Sequence, residues 1–100
     1  MKIQNVKGCN DYLPQEQKIR NYINDKLKET FQEFGYQSIE TPILCYYDML
    51  IDKYDEQNDL VKEIYRLTDQ GKRKLGLRYD LTVPFAKFIA LNKNQIRLPF

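Results

Sequence analysis

The chain has 100 residues, 42% of them hydrophobic and 30% charged, and carries a net charge of +2. That length fits one domain with a modest core and is short for a complete enzyme acting on two substrates, while the composition excludes a disordered chain. The basic residues are spread among 14 acids, giving little electrostatic reason for tight nucleic-acid binding, and no apolar run spans a bilayer or forms a signal-peptide core.

Residues Met1 to Leu13 are short, polar and interrupted by Gly8. From Pro14 the apolar positions Ile19, Ile23, Leu27, Phe31 and Phe34 recur at helical spacing, which predicts an amphipathic helix over 14–34. Pro14 suits the first turn, where its missing N–H has no partner in any case, and Gly35 suits the left-handed residue that ends a helix. "YQSIETPIL" follows, with strand preference at Tyr36 and Ile39. Pro42 would cost a central strand a ladder bond, so this segment is expected at an edge or an interface.

"CYYDMLIDKYDEQNDLVKE" reads as a short helix around Asp48 to Lys53 followed by a polar loop. Its acids, Asp48, Asp52, Asp55, Glu56 and Asp59, lack the alternate-residue spacing and central glycine of a calcium loop, so a solvated acidic segment is expected. "EIYRLTDQGKRKLGLRYD" is two alternating runs around the turn-forming "DQGKR", which predicts a β-hairpin. The basic "GKRK", Gly71 to Lys74, then lies in a solvated turn. On the second strand Leu75, Leu77 and Tyr79 should share one face and Gly76, Arg78 and Asp80 the other, with Arg66 and Thr68 adding polar groups from the first strand. Gly76 would leave the charged face open to a ligand, as the floor of a site.

At "LGLRYDLTVPFAKF" the apolar period changes from two to that of a helix carrying Val83, Phe85, Phe88 and Ile89. Two roles fit Asp80 at this seam. A carboxylate there can accept charge-assisted hydrogen bonds from an ammonium group, with the Thr82 hydroxyl as a further acceptor. Equally, Thr82 can cap the helix with Pro84 in its first turn, while Asp80 sits near the positive end of the helix dipole or pairs with Arg78. On these residues alone the structural role is favoured. The chain closes on the apolar "IRLPF", which reads as the end of a fragment.

Cys9 and Cys45 lie far apart, and the chain has no histidine, so it has neither zinc-site nor thiol-relay spacing and no base to activate a nucleophile. Both are expected as free thiols in a reducing, cytoplasmic setting. Phosphate loops of the GxxxxGK and GxGxxG types are absent.

Taken together and in order, "VKGCNDYLP", "FGYQSIETPIL", "KEIYRLTDQGKRKLGLRYDLTVPFAKF" and "RLPF" resemble the amino-terminal part of a histidyl-tRNA synthetase, a class II aminoacyl-tRNA synthetase. The resemblance implies an α+β fold, an antiparallel catalytic sheet flanked by helices, with residues 1–100 forming the amino-terminal portion of the catalytic domain, cut before motif 2. It assigns the long helix and the segment through Pro42 to motif 1, placing Phe31, Tyr36, Ile39 and Pro42 in a homodimer interface. "LRYDLT" is similar to the segment that holds the α-amino group of substrate histidine, which assigns that role to Asp80 and Thr82, with Leu81 lining the turn. The ligand reading of Asp80 then becomes the favoured one.

The same resemblance implies a full-length cytoplasmic enzyme that uses ATP and Mg2+ to activate L-histidine and transfers it to tRNA(His). The ATP-gripping arginine of motif 2, motif 3 and the anticodon-binding domain would lie past Phe100. The chain alone is therefore expected to bind no cofactor, to hold no catalytic residue and to be inactive. Cys9, Lys87 and "KYDEQ" depart from the threonine, arginine and glycine usual in the family. The competing expectation is a non-catalytic relative with the same fold, the regulatory subunit of ATP phosphoribosyltransferase or a tRNA sensor.

Overall fold

A computed structural model describes residues 1–52 and 58–97. The predicted polar loop around Asp55 and Glu56, the end of the second helix at Lys53 and the closing Leu98 to Phe100 lie outside the described residues. The chain divides into two compact units, Met1–Ser38 and Ile39–Phe100.

The first unit is built on α1, Pro14–Glu33, one residue shorter than its periodicity suggested. Proline opens it, Glu16 lies in its first turn, and the Arg20 guanidinium stacks 4.0 Å from the centroid of the Tyr12 ring. Its end is a Schellman motif: Gly35, at φ +89°, donates to the Gln32 carbonyl at 3.0 Å, and Tyr36 donates to the Phe31 carbonyl at 3.1 Å. The hydrophobic contact that accompanies such an end is an edge-on pairing of Phe31 and Tyr36, with ring centroids 6.0 Å apart. No residue of α1 is buried, so the stripe of Ile19, Ile23, Leu27 and Phe31 stands half in solvent.

The second unit holds β1 (Leu44–Tyr46), α2 (Tyr47–Ile51), α3 (Asp59–Glu63), β2 (Arg66–Thr68), β3 (Lys74–Leu77) and α4 (Thr82–Asn92). The three strands form an antiparallel sheet in the order β1-β3-β2, with Cys45 and Arg66 both opposite Gly76. The strand anticipated through Tyr36 and Ile39 does not form. The strand starts only at Leu44, two residues beyond Pro42, and it is an edge strand of this sheet. The acidic stretch expected to be loop contains α3, because the Asn58 side chain accepts from the Leu60 N–H at 2.9 Å and starts a helical turn.

The hairpin forms as expected, and its turn is closed by Lys72 N–H to the Asp69 carbonyl and Asp69 N–H to the Arg73 carbonyl. Asp69 also takes the Arg73 side chain at 2.6 Å, and its hydrogen bonds to Arg73, the backbone one foremost, hold its carboxyl below the usual range. The left-handed position falls on Lys72, at φ +62°, one residue after Gly71. Lys72→Gly should therefore raise the stability of the chain by about 0.5–1 kcal/mol, measured by urea unfolding, since a lysine in that conformation is strained and a glycine is not. An unchanged or lowered midpoint would show that the turn does not hold this strain.

Val61 and, on α4, Pro84 are buried, and the core cluster consists of Cys45, Leu50 and Ile64. It lies on the Gly76 face of the sheet. A Cβ on Gly76 would stand 3.0 Å from Leu50 Cδ1, 3.2 Å from the Tyr65 carbonyl oxygen and 3.3 Å from Ile64 Cγ2. The expectation that Gly76 opens a charged ligand floor is thereby corrected: the missing side chain makes room for Leu50 and Ile64. Tyr79 also departs from the predicted alternation. The strand ends at Leu77, so Tyr79 turns against the core cluster and its hydroxyl donates to the Leu50 carbonyl at 3.3 Å. Leu44 and Leu77, with Tyr46, Leu75 and Leu67, share the opposite face through their register.

Candidate functional site

Four residues, 78–81, join β3 to α4, and the candidate site residues sit in or against this seam. Thr82 is not the cap but the first helical residue. Asp80 performs the capping instead, accepting the Thr82 N–H on Oδ1 at 3.1 Å. The correction follows from reach: a carboxylate two residues ahead meets the first free amide of the helix, as Asp and Asn side chains do in turns. Asp80 is exposed, and among the described residues its Oδ2 meets no hydrogen-bond donor of the protein.

The anticipated Arg78–Asp80 ion pair is absent too, because Arg78 is engaged elsewhere. Its Nη1 donates to the Thr41 carbonyl at 2.9 Å and to the Thr41 hydroxyl at 3.2 Å, and its backbone N–H donates to the Ile43 carbonyl at 3.0 Å. Nothing in the spacing of the sequence announces this contact across 37 residues.

Two open clefts adjoin the seam. One, of about 500 Å³, is lined by Ile39, Glu40, Thr41, Arg78, Leu81, Thr82 and Phe85. The other, of about 550 Å³, runs between α2 and α4 and takes in Asp48, Asp52, Tyr79, Thr82 and Lys87. Thr82 lines both and Asp80 lines neither. Lys87 is half-buried and lines the second cleft. Of the residues assigned to an interface, Phe31 and Tyr36 are 54% and 58% exposed within the first unit. In the second unit Pro42 is exposed, and Ile39 is 38% exposed as it lines the first cleft. Cys9 is an exposed thiol and Cys45 a buried one. Among the described residues no helix is long and apolar enough to cross a membrane.

Comparison with known proteins gives a consistent result. A family model described as histidyl-tRNA synthetase matches residues 8–99. Over 100 residues the chain is 54% identical to histidine–tRNA ligase 1 of Bacillus cereus (strain ZK / E33L), all of this chain against 23% of that protein. It is 40% identical over 100 residues to histidine–tRNA ligase of Borreliella burgdorferi (strain ZS7), again all of this chain but 22% of the relative. Among solved structures, histidyl-tRNA synthetase from Nostoc sp. PCC 7120 superimposes with a TM-score of 0.83 at 28% identity, covering 99% of this chain and 23% of that one. An ATP phosphoribosyltransferase regulatory subunit/histidyl-tRNA synthetase from Bacillus halodurans C gives 0.82 at 30% identity, covering 100% and 26%. The chain thus spans less than a third of the length of each of these proteins, and the expected α+β arrangement, an antiparallel sheet with flanking helices, is theirs as well.

Proposed function

Because this chain belongs to the histidyl-tRNA synthetase family, we propose that it is the amino-terminal portion, ahead of motif 2, of a class II catalytic domain. The whole protein would activate L-histidine with ATP, releasing pyrophosphate, and transfer the amino acid to tRNA(His). Asp80, Leu81 and Thr82 form the part of the histidine site that this chain supplies.

The observation that supports this reading is the state of Asp80. Its Oδ1 is fixed by the Thr82 amide, which orients the carboxylate, while Asp80 is exposed and its Oδ2 has no protein donor among the described residues. An ammonium group placed there receives a charge-assisted hydrogen bond, about twice as strong as a neutral one. Thr82, which lines both clefts, adds a hydroxyl acceptor, and Leu81 supplies apolar wall to the first. Their contribution is to hold and orient the amino acid, which lowers a barrier by positioning and needs no enzyme nucleophile. ATP and Mg2+ belong to the reaction of the whole protein. The described residues gather no three side chains of the metal-ligating types, so no step through a metal is assigned to this chain.

The proposed assembly is a cytoplasmic homodimer. Phe31 and Tyr36 in one unit, and Ile39 and Pro42 in the other, are exposed apolar groups suited to meeting a second copy. Histidine-dependent ATP–pyrophosphate exchange by the intact protein tests the central reading, with the 100-residue chain inactive in the same assay. Histidine binding without exchange would overturn it in favour of the non-catalytic paralogue, a reading that the solved relative from Bacillus halodurans keeps open through its double description.

A further inference from the structure

The seam has one strong attachment on its entry side, and it is Arg78. The residue is half-buried, lies two positions before Asp80, and carries three hydrogen bonds to residues 41–43: two from Nη1 to Thr41 and one from its amide to Ile43. Asp80 has no comparable anchor. Among the described residues its partner is the amide of Thr82, two positions on, so where the carboxylate stands relative to the sheet depends on how the backbone enters the turn. On the exit side, Pro84 is buried and Val83 packs against the core, which fixes the first turn of α4. The turn is therefore held at both ends, by packing at one and by a guanidinium at the other. That guanidinium also walls the cleft to which Leu81 and Thr82 contribute.

We propose that Arg78 is a positioning residue for the amino acid: its two bonds to Thr41 set the entry angle of the Arg78–Thr82 turn and so place the Asp80 carboxylate and the Thr82 hydroxyl for an ammonium group. The inference rests on the histidine-binding reading of Asp80 and Thr82 and goes beyond it. β3 ends at Leu77, and the Thr41 carbonyl is taken up by the Arg78 side chain instead of a strand partner. Both bonds to Thr41 come from Nη1, and a lysine in place of Arg78 keeps the charge but carries it on a flexible stem that does not hold a nitrogen in that direction as the planar guanidinium does.

The test uses the intact protein in the exchange assay with four variants. Arg78→Lys should raise the KM for histidine about tenfold or more, the loss expected when a side chain that fixes geometry gives way to a flexible one, while the KM for ATP stays within about twofold. Thr41→Val, which removes only the hydroxyl, should raise the histidine KM about two- to threefold. A merely structural role would reduce the yield of folded enzyme and leave both KM values in place. Asp80→Asn tests the underlying reading separately. If it leaves the histidine KM unchanged, that reading fails, whatever Arg78 does. If Asp80→Asn acts and Arg78→Lys does not, the positioning role alone fails. In the double variant Arg78→Lys/Asp80→Asn, the arginine change should add less than about threefold, because a carboxylate that no longer binds has no placement to lose. Should Arg78→Lys fail to fold, Thr41→Val decides, and an unchanged histidine KM there overturns the proposal.

Discussion

Asp80→Asn in the intact protein is expected to lower histidine-dependent ATP–pyrophosphate exchange by about 30-fold, close to 2 kcal/mol, with almost no change in thermal stability. The asymmetry arises because the carboxylate has two tasks and asparagine can perform only one. As a cap, the side-chain oxygen accepts the Thr82 amide at 3.1 Å, and an amide oxygen accepts it nearly as well. As a ligand for an ammonium group it must carry charge, and loss of a charged hydrogen-bond partner is worth about 1.5–3 kcal/mol. Asp80→Ala should lose both, showing the same defect in exchange or a larger one, together with about 1 kcal/mol of stability from the uncapped amide. A variant with asparagine that exchanges normally would reduce Asp80 to a helix cap. Comparing the two variants thus separates roles that a single alanine substitution would merge.

Gly76→Ala is expected to destabilise the chain by about 1–3 kcal/mol, read from the midpoint of urea unfolding. The nearest atom to the added methyl, Leu50 Cδ1 at 3.0 Å, ends a flexible side chain and can give way. The Tyr65 carbonyl oxygen at 3.2 Å cannot do so freely, because it accepts the Leu77 N–H at 2.9 Å and any retreat weakens the sheet. Leu50→Ala, at a residue only 1% exposed, should cost about 2–5 kcal/mol through lost burial and the cavity left behind. The double variant should cost less than the sum by about 0.5 kcal/mol or more, since the new methyl then enters space that Leu50 has vacated. Strict additivity, or a neutral Gly76→Ala, would mean that these two positions do not share the space described.

How much of this was legible beforehand depends on whether the governing interaction was local. The long helix could be read from Ile19, Ile23, Leu27 and Phe31 and from the proline and glycine at its ends, because periodicity and end chemistry are both written within one segment. The hairpin could be read for the same reason, although its left-handed residue proved to be Lys72. The covered side of the sheet could not. Alternation divides residues into two faces but does not say which face another layer will cover, and Leu50 reaches Gly76 from a helix far earlier in the chain. The Asn58 cap is local and was legible in principle, yet the surrounding acids gave the stretch the look of loop. At the candidate site, the strand-to-helix change around Asp80 was visible, while the choice between cap and ligand was not. The structure shows the cap, and family resemblance supports the ligand. The hold of Arg78 on Thr41 left no trace in any local pattern, since neither residue type demands the other at such a separation.

The contrast between the two cysteines gives the chain an internal clock. Cys9 lies exposed in one unit and Cys45 is 8% exposed beneath Leu50 and Ile64 in the other. A thiol reagent in solution reaches the first at once, and reaches the second only when the sheet and α2 part. The ratio of the two labelling rates therefore reports the free energy of opening the small core, without an added probe and under conditions that never unfold the bulk of the molecules. The same measurement would register the strain of an alanine at position 76 as an earlier arrival at Cys45.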